Sequence, residues 1–181
     1  MPAPRIMKEL KLKDGRIAKV SFLSERDSTR ELQRYINALI AEKTYLLHNK
    51  KQTLKQEEEW KKGELEAFRK KEGYYLVARV GGKIAGSSTA RREKFKARGN
   101  VYLGISIAKP FRRIGLGEAL LRLNIQMAKR LLKPKNIYLS VFKLNKPAYA
   151  LYKKLGFKEF AVFPKWLLHE GKYVDWVYLK L

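Results

Sequence analysis

The chain contains no cysteine in its 181 residues. That excludes disulfides, thiolate zinc sites and a cysteine nucleophile. Histidine is nearly missing too: His48 and His169 are the only two, too few for a histidine-built centre, so no metal is expected. No apolar run approaches the ~20 residues that a membrane-spanning helix needs, and residues 1–10 lack the apolar core of a signal peptide. No membrane association and a cytoplasmic location are therefore expected. Acidic residues are scarce, 17 against 41 lysines and arginines, a formal net charge of +24. The hydrophobic content of 45% nevertheless exceeds that of a disordered basic tail. This length supports one domain with a buried core and not two ordinary ones. No repeat, linker or low-complexity tract divides it, so residues 1–181 are read as a single domain.

The charge is uneven. Residues 1–78 hold 18 basic and 12 acidic side chains, and residues 159–181 hold three of each. Residues 79–158 hold 20 basic side chains against only Glu93 and Glu118, a net of +18. Such a field favours an anionic ligand or partner. A lysine-rich, heat-adapted surface is the plainer explanation, but it implies interspersed glutamates. Residues 50–72 have them and the middle stretch does not.

Hydrophobic periodicity orders the elements as β-α-α-β-β-β-α-β-α-β-β. Residues 16–23 (RIAKVSFL) read as the opening strand. Leu32, Tyr35, Ile36, Leu39 and Ile40 predict a helix over 26–40, with Asp27 or Ser28 as cap. A second, highly charged helix begins at Thr53 or Leu54, places Trp60, Leu65 and Phe68 on its apolar side, and ends against Gly73. Residues 74–80 and 83–90 form a hairpin around Gly81-Gly82. Residues 101–108 (VYLGISIA) are a strand stopped before Pro110. Leu116, Ala119, Leu120, Leu123, Met127 and Leu131 mark a helix over 115–132. A strand over 136–142, a short helix over 147–155 closed by Gly156, and a hairpin around Glu170-Gly171 complete the chain.

The most informative segment is residues 109–118, KPFRRIGLGE. A strand stops at proline, two arginines follow, and Gly115 and Gly117 open a helix. The first amides of a helix have no partner within it and point outward. The helix dipole adds partial positive charge at the same place. Glycines let the backbone approach a bulky anion, which makes a phosphate cradle. The spacing is not GxGxxG, and the lysine of a P-loop is missing, so a dinucleotide or nucleoside-triphosphate fold is not expected.

Arg112-Arg113-Ile114-Gly115-Leu116-Gly117 resembles the Arg/Gln-x-x-Gly-x-Gly/Ala motif of the GNAT superfamily, the acetyl-CoA-dependent N-acetyltransferases. A second and more specific resemblance follows. Asn145, Ala148, Leu151-Tyr152 and Leu155-Gly156-Phe157 match the family's Asn, Ala, Leu-Tyr and closing Leu-Gly-Phe. The two motifs are correctly ordered and separated by a helix and a strand. The resemblance implies an α/β fold of the α+β type, with a mixed central sheet of about six to seven strands and helices on both faces.

The resemblance also implies direct transfer of an acetyl group from acetyl-CoA to a primary amine, with no metal. The main-chain amides of Arg113, Ile114, Gly115, Leu116, Gly117 and Glu118 would hold the pyrophosphate, and Arg112 or Lys109 would reach a phosphate with its side chain. Ile105, Ser106 and Ile107 would splay from the next strand and bond the amide-bearing arm of the cofactor. Asn145 would bond that arm, cap the short helix, or do both. Tyr152 takes the position of the family's leaving-group acid, a phenol that donates to the departing thiolate; as a helix aromatic it also reads as core. Many relatives place a glutamate on the strand before the glycine turn, and residues 101–108 contain no carboxylate. Glu72 and Asp175 remain as weak candidates for the base.

The acceptor is expected to be an amine of a protein, either its N-terminus or a lysine. A small amine such as an amino acid or antibiotic is the first alternative, and an RNA- or ribosome-binding domain with weak or no catalysis is the second. Tyr35, Tyr45, Trp60, Trp166, Tyr173 and Trp176 are available for an acceptor face. Arg91, Arg92, Lys94, Lys96 and Arg98 (residues 91–98), with Lys129, Arg130, Lys133 and Lys135 (129–135), have no role in acetyl transfer. They point to RNA, a ribosome or another anionic partner.

Overall fold

The structure is a computed structural model that describes residues 7–181. The expectation about the first ten residues falls largely on residues 1–6, which lie outside the described residues. One mixed sheet of eight strands organises the chain, in the order β1-β2-β3-β4-β5-β6-β8-β7. The strands are β1 (Lys8–Lys11), β2 (Ile17–Phe22), β3 (Gly73–Val80), β4 (Lys83–Arg92), β5 (Asn100–Ile107), β6 (Asn136–Phe142), β7 (Lys158–His169) and β8 (Lys172–Lys180). Neighbouring strands are antiparallel except β5 and β6. The sheet has one strand more than periodicity marks. In β1 (Lys-Glu-Leu-Lys) a single apolar residue gives no alternation to detect, and pairing with β2 supplies the structure instead.

Four helices cover the two faces: α1 (Thr29–Ala41), α2 (Leu54–Arg69), α3 (Leu116–Leu131) and α4 (Lys146–Lys154). On one face Leu32, Tyr35 and Leu39 of α1 and Leu65 of α2 pack with Val77 and Ile84. On the other, Leu116, Leu120 and Leu121 of α3 and Tyr152 of α4 pack with Leu76, Leu103, Leu139 and Val177. Each fully buried leucine contributes about 2 kcal/mol. The buried stripe of α3 also contains Asn124, which a scan for apolar residues passes over, and leaves Leu131 exposed. Asn124 Nδ2 donates to Ser88 Oγ at 2.7 Å and to the Thr89 carbonyl at 2.9 Å, and the Tyr74 hydroxyl donates to the Asn124 carbonyl at 2.9 Å. These bonds fix the rotation of α3 over β3 and β4.

Ser28 caps α1, accepting from the Glu31 amide at 3.4 Å. Asp27 instead braces the sheet, since its carboxylate accepts from the Ser24 amide at 2.8 Å and pairs with Arg79 of β3 at 2.7 Å. Thr53 and Gln56 form a capping box on α2. Gly73 does not stop that helix, which is capped at Lys70. Gly73 opens β3 instead, where a Cβ would lie 2.6 Å from the Ala90 carbonyl oxygen. Among the described residues no helix is long and apolar enough to cross a membrane.

Candidate active site

β5 and β6 pair only over Asn100–Tyr102 and Asn136–Tyr138, then diverge. β4 stays paired with β5 through Ile107. The fork is bridged, among the described residues, by one side-chain hydrogen bond, between the Tyr102 hydroxyl and Ser140 Oγ at 2.7 Å. It opens into a cleft of about 1290 Å³. Ile105, Ser106 and Ile107 all line it, but their peptide groups divide. The Ala108 amide donates to the Ala85 carbonyl at 2.9 Å. By antiparallel alternation the peptide groups of residues 106 and 108 then face β4, and those of 105 and 107 face the open side. The two isoleucines thus face the open side, Ile105 with its whole peptide group and Ile107 with its amide, since the Ile107 carbonyl accepts from Arg112 Nε, while Ser106 belongs to the β4 ladder. The Ser106 hydroxyl turns to α1: it lies 2.8 Å from the Tyr35 hydroxyl, which also donates to the Ser106 carbonyl at 2.9 Å.

At the end of β5, Lys109–Phe111 make one 3-10 turn. Arg113 and Gly115 then adopt left-handed conformations, φ 62° and 85°, and α3 begins. The amides of residues 113–118 find no acceptor among the described residues. Six consecutive open donors thus stand at the head of a sixteen-residue helix, at Arg113, Ile114, Gly115, Leu116, Gly117 and Glu118, an arrangement that suits an anion. The Glu118 carboxylate is directed away from its own amide, to Lys154 of α4 at 2.6 Å and to Arg122 at 2.9 Å. Those bonds hold it below its ordinary range.

The Arg112 side chain is largely committed. Its Nε donates to the Ile107 carbonyl at 2.9 Å and its guanidinium pairs with Glu42 at the end of α1 at 2.8 Å. It fastens the turn to the cleft wall, which leaves Lys109, another lining residue, as the more available cation. Lys13, from the β1–β2 turn, is a further one that sequence reasoning does not find. Its amide donates to the Ile114 carbonyl at 3.0 Å, and its side chain lies over Gly115.

Tyr152, on α4, is 6% exposed and lines the cleft. Its hydroxyl has no hydrogen-bond partner among the described residues, and burial, then the neighbouring Tyr102, pushes the phenol above its ordinary pKa. A protonated donor with nothing to donate to, facing a cleft, is available for a ligand. Asn145 serves as the N-cap of α4, its Oδ1 accepting from the Ala148 amide at 3.3 Å, and it too lines the cleft.

Neither carboxylate raised as a candidate base occupies a suitable place. Glu72 does not line the cleft. Asp175 Oδ1 accepts from the Lys165 amide at 3.1 Å, closing an irregularity between Phe163 and Leu167 in the β7–β8 pairing, and its other oxygen faces Lys143 at 3.4 Å. The amide bond and then the lysine lower its pKa.

Three carboxylates do line the cleft: Glu42, Glu57 and Glu170. Glu42 pairs with Arg112 and Glu170 with Lys43, the latter at 3.3 Å. Glu57 is only 5% exposed and has no ion pair or side-chain hydrogen bond among the described residues. Desolvation raises its pKa to about 7. In the sequence it lies within Glu57-Glu58-Glu59 and reads as solvated charge. The available signal was helical phase: Glu57 precedes Trp60 by three residues and Leu65 by eight, on the apolar side of α2.

Tyr35, Tyr45, Trp60 and Trp176 border the same cleft, whereas Trp166 and Tyr173 lie outside it and are exposed. The connector after α1 meets the tip of the β7–β8 hairpin across the opening. There the Tyr45 ring stands 4.8 Å from that of His169, beside the Lys43–Glu170 pair.

The chain belongs to the acetyltransferase (GNAT) family, whose model matches residues 34–157. It is 33% identical over 108 residues to an N-alpha-acetyltransferase of Sulfurisphaera tokodaii, covering 54% of this chain and 64% of that protein. It is 34% identical over 105 residues to an L-amino acid N-acetyltransferase of Escherichia coli, covering 58% and 65%. The matches thus span just under two thirds of either relative. A Salmonella typhimurium protein solved with its cofactor acetyl-CoA superposes with a TM-score of 0.79 at 19% identity, over 91% of this chain and 92% of the other. This last likeness is one of fold.

Proposed function

We propose that this protein transfers an acetyl group from acetyl-CoA to a primary amine of a protein, either an N-terminus or a lysine side chain. The observation that supports it most is the fork of β5 and β6 opening onto six unpartnered amides. A free strand edge suits an amide-bearing arm and the helix head suits a pyrophosphate, so the residues present fit acetyl-CoA. The cofactor, when bound, supplies a thioester activated toward amines.

The chain's residues then divide the work. The amide and carbonyl of Ile105 and the amide of Ile107 orient the arm, and the amides of residues 113–118 hold the phosphates. The Tyr152 hydroxyl donates a proton to the leaving sulfur. Glu57 receives the proton of the acceptor ammonium, directly or through one water. A carboxylate with a pKa of about 7 is half ionised where such a base must work. Glu42 and Glu170 are held by Arg112 and Lys43, so Glu57 is the lining carboxylate left to attract a cationic amine.

Exposed Leu47 at the cleft, and Trp166, Leu168 and Tyr173 on the adjoining hairpin, favour a polypeptide acceptor. A free amino acid would leave that apolar surface uncovered. The likeness to the Sulfurisphaera N-alpha-acetyltransferase agrees with this reading. The likeness to the Escherichia coli amino acid enzyme favours the second, a small amine held under the Tyr45–His169 contact. The deciding experiment is acetyl-CoA turnover with three acceptor sets: peptides with a free N-terminus, N-blocked lysine peptides and free L-amino acids. A kcat/KM at least tenfold higher for either peptide set supports the proposal. The reverse order establishes the small-amine reading, and no turnover with any set removes both.

A further inference from the structure

The excess charge not used by the cleft collects at the other end of β5. Residues 91–98 and 129–135 are far apart in sequence, but the structure joins them. The Lys135 amide donates to the Gly99 carbonyl at 2.7 Å, and Arg92 bonds the carbonyls of both Leu132 and Arg98. Two of the nine cations are thereby removed from any surface role. Arg92 is the staple between the two segments, and Arg91 turns to Glu64 of α2. The remaining seven are exposed: Lys94, Lys96 and Arg98 from the loop, Lys129, Arg130, Lys133 and Lys135 from the end of α3 and the turn after it. None forms an ion pair among the described residues. The loop's own carboxylate, Glu93, accepts from the Tyr138 hydroxyl. The dipole of α3 accounts for Lys129 and Arg130 in its last turn, but not for the other five.

Among these cations stands Phe95. It is 88% exposed, the most exposed of the large apolar side chains, and its backbone is left-handed at φ 52°. Among the described residues no other ring and no cation packs on its ring. Phenylalanine in such a conformation is uncommon and unfavourable, and among the described residues no burial of the side chain offsets it.

We infer that this pole of the molecule, Phe95 ringed by Lys94, Lys96, Arg98, Lys133 and Lys135, binds single-stranded RNA, the cations meeting phosphates and the Phe95 ring stacking on an unpaired base. Unpaired RNA offers both a polyanion and open base faces. An acidic polypeptide would use the charge and leave the ring idle. An anionic bilayer would need more apolar surface than Phe95 and Leu131 provide. The patch and the phosphate cradle sit at opposite ends of β5, whose eight residues span about 23 Å. RNA and acetyl-CoA are therefore able to bind together, and the inference does not depend on the catalytic reading.

The test is a fluorescence-anisotropy titration of the full chain with a labelled 15-nucleotide single-stranded RNA between 50 and 400 mM KCl. A log–log salt slope of about −3 to −4 is expected if about five phosphates are neutralised. Replacing Lys94, Lys96, Lys133 and Lys135 by glutamine is expected to weaken binding at least thirtyfold at 100 mM salt. The same change at Lys50, Lys51, Lys55 and Lys83 is expected to weaken it less than threefold. Phe95→Ala is expected to cost about tenfold with an unchanged salt slope, because it removes stacking and no charge. Circular dichroism of each variant separates unfolding from lost contacts. Equal losses in the two lysine sets, an unaltered Kd in Phe95→Ala, or equal affinity for duplex RNA, single-stranded DNA, polyglutamate or anionic vesicles would each overturn the assignment.

Discussion

The hydroxyl of Tyr35 on α1 donates to the main-chain carbonyl oxygen of Ser106 on β5 at 2.9 Å. The same hydroxyl lies 2.8 Å from Ser106 Oγ and 3.3 Å from Ser87 Oγ. This single side chain ties the helix that borders the proposed acceptor half of the cleft to the strand that forms the proposed cofactor half. Tyr35→Phe leaves Ser87 and Ser106 bonded to each other at 3.0 Å, so the fold survives. A stability loss of about 1 kcal/mol is expected in urea unfolding. The KM values for acetyl-CoA and for the acceptor are expected to rise together, because both faces of the link are released. An unchanged KM for either would show that the two halves are positioned independently.

Glu57 and Tyr152 are the two unpartnered polar side chains on which the proposed chemistry rests, and each yields a different signature. For Glu57 the sign follows from its raised pKa, about 7 against 4.5. Between those values the folded chain binds a proton that the unfolded chain does not. Stability therefore falls as pH rises from about 4.5 to about 7 and is level above. Glu57→Gln removes this dependence and is expected to stabilise the protein by about 1–2 kcal/mol at pH 8, by urea unfolding. The same substitution is expected to lower kcat about a hundredfold and abolish the rise in rate through pH 7. A variant that is both more stable and fully active would remove Glu57 from the mechanism.

For Tyr152, burial keeps the phenol protonated throughout the working range, so it contributes no limb to the pH profile. Tyr152→Phe preserves the ring that packs 6.1 Å from Phe157 and removes a hydroxyl with no hydrogen-bond partner among the described residues. The melting temperature is expected to stay within about 2 °C, while kcat falls ten- to a hundredfold with the KM for acceptor unchanged. A more acidic thiol leaving group is expected to recover part of that loss, since it needs less protonation. Equal loss with both leaving groups would assign Tyr152 to packing alone.

These residues also show what the sequence makes legible. Gly115, Gly117, Asn145 and Tyr152 lie in two local motifs, and each motif folds as one turn and the helix that follows, so its geometry is written in adjacent letters. The splay of β5 from β6 is expected only through the family resemblance that the motifs carry, not from the residues of either strand. Glu57 was legible only through its helical phase with Trp60 and Leu65: its burial depends on α2 lying over β3, which is a tertiary fact, and its two glutamate neighbours disguise it. Asp27, read as a helix cap, is drawn instead to Arg79, which is 52 residues away. Arg112, read as a phosphate ligand, is held by Glu42. In both cases an ion pair between distant elements overrides a sound local reading.

The glycine pair of the cradle offers the sharpest separation of fold from binding. Gly115 has φ 85°, and a Cβ there would lie 3.2 Å from Lys13 Cγ. Gly115→Ala therefore strains the turn and is expected to cost about 1–2 kcal/mol of stability along with cofactor affinity. Gly117 needs no left-handed conformation, and a Cβ there would meet Ile107 and Leu151 at 3.6 and 3.7 Å, ordinary contact distances. Nothing in the protein itself forbids alanine at that position. Gly117→Ala is thus expected to melt like the parent, or slightly higher given the helix propensity of alanine. Its dissociation constant for CoA, by calorimetry, is nevertheless expected to rise at least tenfold, because the added methyl occupies the space where the backbone must approach the pyrophosphate. Unaltered CoA binding by a stable Gly117→Ala protein would place the phosphates elsewhere on the turn, and with them the direction of the cofactor in the cleft.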